Sequence, residues 1–262
     1  MVHEELTQSG NRAALYDPVK RAEETARIIS RGNRRRYYRF RPARFYGGIA
    51  TADCLGCCLR CLFCWSWDKV LKPDRYGKFY SPHQVAGKLT TIAYKKGFRH
   101  VRISGNEPTL AREHLIQVLE QIPRDILFIL ETNGILIGHD IAYARDLSTF
   151  ENLYVRVSMK GTNEDDFMRL TGAEPAGFEL QIQALKNLVR FNITTHPAVM
   201  VSFSSPENIK TLRMRLKEID EDFEDFEAEE LALYGKVEER LLKAGLEYDT
   251  AYEPTRIPKE QV

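Results

Sequence analysis

The sequence lacks most of what would direct it away from a water-filled compartment. It holds no apolar run of the roughly 18 residues needed to cross a bilayer, so no membrane association is expected. It shows no secretory leader pattern, which makes a reducing cytoplasm the expected location. Nothing repeats at a fixed period and no long segment has low complexity, which argues against a solenoid or a linker-rich chain. An excess of either charge is also missing, since 38 Lys and Arg stand against 37 Asp and Glu. A net charge of +1 signals no polyanionic partner for the whole chain, so electrostatic contacts must be sought in local runs. Finally, no cysteine follows position 64.

What is present is concentrated. All five cysteines lie within eleven positions, in DCLGCCLRCLFCWSW from Asp53 to Trp67. Thiols this close cannot pair off across a fold, and soft-metal ligation is the economical reading. Cys57, Cys61 and Cys64 read C-x3-C-x2-C, three thiolates in one short loop, where a cubane iron–sulfur cluster ordinarily has four. Cys54, Cys58 and Cys61 satisfy the same spacing, so counting alone leaves the ligand set open. A four-thiolate zinc site on Cys54, Cys57, Cys61 and Cys64 is a further reading, although zinc ribbons separate their cysteine pairs by longer stretches.

At 262 residues with 43% hydrophobic content, the chain can bury a sizeable α/β core. Positions 1–16 are aperiodic and expected to be mobile. Asp17 and Pro18 then open an amphipathic helix that Gly32 stops. Residues 31–46 follow with seven arginines, at 31, 34, 35, 36, 39, 41 and 44, among Tyr37, Tyr38, Phe40, Phe45 and Tyr46. Arginine forks beside aromatic rings can hold phosphates and splayed bases, so nucleic acid is one partner to consider. The acidic run from Glu218 to Glu230 is a competing, internal partner for that basic arm. From there strands and helices alternate: strands are predicted over 46–53, 100–105, 126–131, 153–160, 195–203 and 231–234. Helices are predicted over 82–97, 109–121, 141–147, 162–170 (capped by Thr162), 178–189, 206–219 and 237–244. Alternation of this kind means βα units and a parallel sheet.

Three strands carry polar side chains on one face. His100, Arg102 and Ser104 oppose Val101 and Ile103; Tyr154, Arg156, Ser158 and Lys160 oppose Leu153, Val155, Val157 and Met159; His196, Met200 and Ser202 oppose Val199, Val201 and Phe203. Charge turned inward needs water or partners. The expected fold is therefore α/β, a partial (βα)6 TIM-like barrel with a wet lumen and an N-terminal helical and basic extension. The expected division is 1–45 for the helix and arm, 46–245 for the barrel and 246–262 for a tail. Ligands of such folds sit at the carboxyl ends of the strands. There the sequence places the cysteine loop, Gly105-Asn106-Glu107-Pro108, Glu131-Thr132-Asn133-Gly134, and Ser158 with Lys160.

These motifs resemble the radical S-adenosylmethionine superfamily, and within it the single-cluster activating enzymes of glycyl-radical enzymes. The resemblance implies that Cys57, Cys61 and Cys64 hold one 4Fe-4S cluster, with Phe63 near the adenine and Cys54 and Cys58 spare. Gly105 to Pro108 is similar to that family's Gly-Gly-Glu-Pro, with Asn106 for the second glycine, and implies that its backbone and the Glu107 carboxylate receive the methionine ammonium. Asn106 tolerates the left-handed backbone such a turn can require. Glu131, Thr132 and Asn133 resemble Asp-Thr-Asn, and Ser158 with Lys160 resembles Asp-x-Lys, at the methionine carboxylate and ribose. With Ser158 in place of an acid, Arg156 is expected to stand in for a bound cation and offer that carboxylate a bidentate fork. Arg102, Tyr154 and His196 are the expected substrate-side residues. The implied activity is reductive cleavage of S-adenosylmethionine and hydrogen abstraction from a substrate, a partner protein or a small molecule, with ferredoxin or flavodoxin as reductant. Phe63-Cys64-Trp65 also resembles the loop of the wybutosine-pathway tricycle-forming enzyme, which keeps tRNA base modification as an alternative. A zinc-stabilised RNA-binding module is the alternative without catalysis.

Overall fold

The computed structural model describes residues 14–258; positions 1–13 and 259–262, which include most of the aperiodic start and the end of the expected tail, lie outside the described residues. Asp17 caps α1 (Pro18–Ile29) by accepting the Val19 and Lys20 amide N–H groups at 2.7 and 3.3 Å. The chain turns through β1 (Ser30–Arg31) into β2 (Arg34–Ala43) and returns as β3 (Ile49–Cys54). After the cysteine loop come α2 (Trp67–Leu71) and β4 (Lys78–Tyr80), then α3 (Pro82–Lys96), held by a Ser81–Gln84 capping box. The order continues with β5 (His100–Ser104), α4 (Arg112–Leu119), β6 (Leu127–Thr132), α5 (Ile135–His139), α6 (Ile141–Leu147) and β7 (Leu153–Met159). Then follow α7 (Glu164–Thr171), α8 (Ala176–Arg190), β8 (Thr195–Met200), α9 (Pro206–Lys217), β9 (Glu227–Glu229), β10 (Leu231–Ala232), α10 (Val237–Lys243) and β11 (Ala251–Tyr252).

Strands β3, β5, β6, β7, β8 and β9 run parallel in that order, the six strands of a partial barrel. The N-terminal extension joins the same sheet. Strand β2 lies antiparallel on β3, with Arg41 opposite Thr51 and Arg39 opposite Asp53, and β1 and β4 pair with β2 in turn. Among the described residues no ladder joins β9 back to β2, so the barrel is open on that side. Side chains alternate as the sequence requires: Val101, Ile103, Phe128, Leu130, Val155, Val157 and Val199 are fully buried beneath the helices. Each such side chain contributes about 1.5–3 kcal/mol relative to exposure. The opposite face of the same strands carries Thr51, Arg102, Glu131 and Arg156 into the lumen.

Three local expectations are corrected. The last strand of the barrel is Glu227–Glu229, drawn from the acidic run, because those carboxylates find Arg156 inside the lumen. Leu231–Ala232, expected to end the sheet, instead pairs with Ala251–Tyr252 in a separate ribbon. The cap of α7 is Asn163, which accepts the Asp166 N–H at 2.8 Å, whereas the Thr162 hydroxyl donates to the Asp166 carboxylate at 2.7 Å.

A buried histidine ties the extension to the barrel. His114 on α4 contacts the Asn33 carbonyl through Nδ1 at 2.7 Å and the Tyr37 hydroxyl through Nε2 at 2.9 Å. Donation from Nδ1 leaves Nε2 to accept, which requires the neutral ring. Burial pushes its pKa down to about 4. Because the unfolded ring takes up its proton first as pH falls, stability present above about pH 6.5 is lost between there and pH 4, by about 3 kcal/mol in full. Urea unfolding at pH 7 and pH 5 is expected to show this loss, and His114→Gln should flatten that part of the profile while lowering stability at pH 7.

Candidate active site

At the carboxyl ends of the strands lies a cavity of about 940 Å³. Three of the five cysteines line it, Cys57, Cys61 and Cys64. Cys54 and Cys58 are fully buried away from it. The Cys54 sulfur instead accepts from Arg35 at 3.3 Å, and the Cys58 sulfur accepts from the Asn133 amide at 3.3 Å. Among the described residues no three His, Cys, Asp or Glu side chains are grouped closely enough to hold a single ion. Cys54, one of the four thiols of the zinc set, is engaged by Arg35.

The cysteine loop is held from three directions. Arg240 on α10 donates to the carbonyls of Leu62 at 3.0 Å and Cys64 at 2.6 Å, with its guanidinium over the Trp67 ring. Asn106 grips the loop with both ends of its amide: Oδ1 accepts the Gly56 N–H at 2.9 Å and Nδ2 donates to the Ser66 hydroxyl at 3.1 Å. Its backbone is not left-handed; that demand falls on Gly105, at φ +102, where a Cβ would meet the Cys54 carbonyl oxygen at 3.0 Å. Behind both loops sits Arg35 of β2, only 1% exposed. It donates to the carbonyls of Leu55 at 3.2 Å and Glu107 at 2.6 Å and also to that of Pro108.

The thiols fit a polynuclear iron centre in their chemistry. Burial pushes Cys61 well above the ordinary thiol value and Cys64 up to about 11. The Cys58 thiol and the Leu59 N–H stabilise the Cys57 thiolate and hold its pKa down. Thiols so enclosed ionise readily only toward a strongly cationic partner, which a cluster supplies.

The remaining residues fall into three groups. Phe63, Gly105, Asn106, Glu107, Glu131, Thr132, Asn133, Arg156, Ser158, Lys160 and Arg102 line the cavity. Tyr154 and His196 do not; both are half-buried, and burial lowers the His196 pKa. Two carboxylates are committed inward. Glu107, expected to face a ligand ammonium, accepts from the Thr109 N–H and hydroxyl, the Thr132 hydroxyl and the Asn133 N–H at 2.7–3.0 Å. Glu131 accepts from Arg102, from the Ser104 hydroxyl at 2.9 Å and from the Tyr46 hydroxyl at 3.1 Å. Burial works against its charge, but Arg102 and Arg156 hold its carboxyl below the usual range.

Arg156 departs from expectation most. Its Nε and Nη2 grip Glu227 at 2.8 and 2.6 Å, Nη2 also lies 2.9 Å from Glu229, and Nη1 donates to Ser158 at 2.9 Å. The fork is occupied by the protein's own carboxylates. Lys160 has a looser partner, Glu229 at 3.8 Å, and lies 6.0 Å from the centre of the Phe63 ring.

Several lining residues were not among the expected cofactor and substrate residues: Tyr46, Phe45, Trp65, Met200 and the pair Glu227 and Glu229. Tyr46 is left-handed without being glycine, at φ +55, a strain that tends to mark functional positions. Glu227 and Glu229 carried a readable signal, a period-2 pair of acids, but it was submerged in a longer acidic run.

A model of the radical SAM superfamily matches residues 54–216. That is more than half of the chain, and the protein belongs to this superfamily. It is 31% identical over 120 residues to the probable GTP 3′,8-cyclase of Methanococcus vannielii, covering 45% of this chain and 38% of that protein. To the probable GTP 3′,8-cyclase of Methanosarcina acetivorans it is 29% identical over 139 residues, 53% of this chain and 40% of that one. It thus spans about two fifths of the length of these relatives. Among solved structures, Streptococcus suis SuiB bound to precursor peptide SuiA superposes with a TM-score of 0.56 at 17% identity, over 75% of this chain and 46% of that one. The structure of anSMEcpe with bound AdoMet gives 0.52 at 21% identity, over 67% and 48%. At these identities the structural matches establish the fold.

The hydrogen bonds of Arg35 generate a test. Arg35→Met strands three buried carbonyls, each costing about 1–3 kcal/mol. The variant is expected to unfold at lower urea and, after reconstitution with iron and sulfide, to lose iron to a chelator about tenfold or more faster than the wild type. Iron release followed by absorbance checks it.

Proposed function

We propose that the chain is a single-cluster radical S-adenosylmethionine enzyme that binds a 4Fe-4S cluster through Cys57, Cys61 and Cys64. One observation carries this reading: of five cysteines, those three face the cavity at the strand ends while Cys54 and Cys58 are turned away. When bound, the cluster and S-adenosylmethionine together supply reductive cleavage of the sulfonium and removal of a hydrogen atom from a substrate. The protein's task is binding, alignment and exclusion of water.

The roles divide along the rim. Because the Glu107 carboxylate is spent on Thr109, Thr132 and Asn133, it stiffens the junction between β5 and β6 and leaves the methionine ammonium to backbone carbonyls at Gly105 and Asn106. Since Arg156 is gripped by Glu227, Lys160 is the cation left for the methionine carboxylate, beside Ser158. Phe63 offers its ring to the adenine. Burial opposes charge on Glu229, but Arg156 and Lys160 hold its carboxyl low, so this wall stays ionised and fixed. Arg102, locked to Glu131, is a positioning residue for that wall. Tyr154 and His196 support the floor of the lumen.

Substrate enters through the open side between β9 and β2, where a partner protein of the activating-enzyme kind, or a small molecule, completes the enclosure. Ferredoxin or flavodoxin is the expected electron donor. The tRNA-modifying reading draws on the arginine arm, but that arm is a paired strand in which Arg35 is buried and Arg36 donates to the Tyr76 carbonyl.

The test is anaerobic. Protein reconstituted with iron and sulfide, reduced with dithionite and given S-adenosylmethionine is expected to form 5′-deoxyadenosine without added substrate. A Cys57→Ala, Cys61→Ala, Cys64→Ala variant should form none. Equal product from both, or a wild type that takes up zinc and no iron, would sink the proposal.

A further inference from the structure

The cavity has one wall whose charge is not balanced. Strand β2 and the turn after it contribute Arg39, Arg41, Arg44, Phe45 and Tyr46 to the lining. Arg39 and Arg41 both direct Nε at the same oxygen of Asp53, and Arg41 adds Nη2 to the other oxygen at 3.4 Å. Asp53 is fully buried, while the side chains of Arg39 and Arg41 are 45% and 26% exposed. One carboxylate thus anchors two guanidiniums that both line the cavity.

Two guanidiniums against one carboxylate leave one positive charge, and Arg44, exposed and without an ion pair among the described residues, adds a second. On the other walls Arg102 stands with Glu131, Arg156 with Glu227 and Glu229, and Lys160 more loosely with Glu229 at 3.8 Å, while the lining carboxylates Glu107 and Glu230 take hydrogen bonds from Thr109, Thr132 and Asn133 and from the Tyr252 hydroxyl, so the surplus is local to the β2 wall. The surplus lies away from Ser158 and Lys160 on β7, with β3, β5 and β6 between. Beside it the Phe45 ring is fixed under the Arg102 guanidinium at 4.6 Å, and Tyr46 is held in its left-handed conformation with its hydroxyl on Glu131.

We propose that the β2 wall, Arg39, Arg41 and Arg44 with the rings of Phe45 and Tyr46, is the substrate subsite for a phosphate monoester dianion carried on a small molecule. A phosphate ester carries about −1.5 to −2 at neutral pH, which matches the surplus, whereas a carboxylate leaves one charge unmatched. Forked guanidiniums suit phosphate oxygens bidentately, and the adjacent rings offer an apolar face to whatever bears the phosphate. This subsite rests on the radical-enzyme reading and specifies its substrate class.

The test uses cluster-reconstituted protein with S-adenosylmethionine present, so that the cofactor's own place is filled, and measures binding of phenyl phosphate and benzoate by calorimetry. Phenyl phosphate is expected to bind more tightly than benzoate. Arg39→Gln and Arg44→Gln should each weaken it about tenfold or more, and Arg145→Gln on the outer helix α6 should leave it unchanged. Among the described residues the Arg44 side chain makes no ion pair and is exposed, so its variant stays informative if Arg39→Gln destabilises. Equal affinity for the two probes, no binding of phenyl phosphate, or binding that Arg44→Gln leaves intact would overturn the assignment. Formation of 5′-deoxyadenosine without substrate is measured on the same wild-type preparation; with that activity intact, a failure of phosphate binding would fall on the subsite and not on the radical chemistry.

Discussion

A single buried guanidinium organises this structure. Arg35 reaches from the antiparallel strand β2 behind the cysteine loop and the Gly105–Pro108 turn, and gives its hydrogen bonds to carbonyls of both. Among the described residues no carboxylate pairs with it directly, and its charge is spread over backbone dipoles and the Cys54 sulfur. Such an arrangement is costly to assemble and costly to break, because every acceptor it satisfies lies out of reach of water. What it secures is a fixed distance between the loop that presents three thiols and the turn that meets a ligand beside them. Asn106 and Arg240 reinforce the same loop from the rim and from the far side of the barrel.

The lumen follows a second constraint, that charge inside a sheet must be partnered. Arg102 with Glu131 and Arg156 with Glu227 and Glu229 form fixed pairs on neighbouring walls. They are rigid because each guanidinium is engaged at more than one nitrogen. Fixed pairs of this kind stabilise little by themselves, but they set the shape and polarity in which a cofactor and a substrate would be held. The wall built by β2 is the exception, and its surplus of positive charge gives the cavity a direction.

Much of this was legible in the sequence because it is local or periodic. The cysteine cluster, the alternation of Val101 and Ile103 with Arg102 and Ser104, and the caps Asp17 and Ser81 each declare themselves within a few residues. What escaped depends on distant partners. Arg156 and Glu227 are 71 positions apart, so the sequence offered Arg156 as a free fork when the acidic run supplies its partner. The basic arm was expected to meet nucleic acid or the acidic run, because nothing in residues 31–46 reveals that Asp53 and the Tyr76 carbonyl will meet its arginines. Asn106 was read through its backbone, while its amide is what the loop uses. Tyr154 pairs with Ile129, two residues before the Glu131–Arg156 level that lines the cavity, a register that face alternation does not give.

The account stands on which thiols face the cavity, and the iron content and electron paramagnetic resonance of reduced cysteine variants measure this most directly. A Cys54→Ala, Cys58→Ala double variant is predicted to keep about four irons per chain and a 4Fe-4S signal that changes on adding S-adenosylmethionine, while Cys57→Ala, Cys61→Ala and Cys64→Ala each lose both. Loss of the cluster from the double variant, with retention in any of the three single variants, would contradict it.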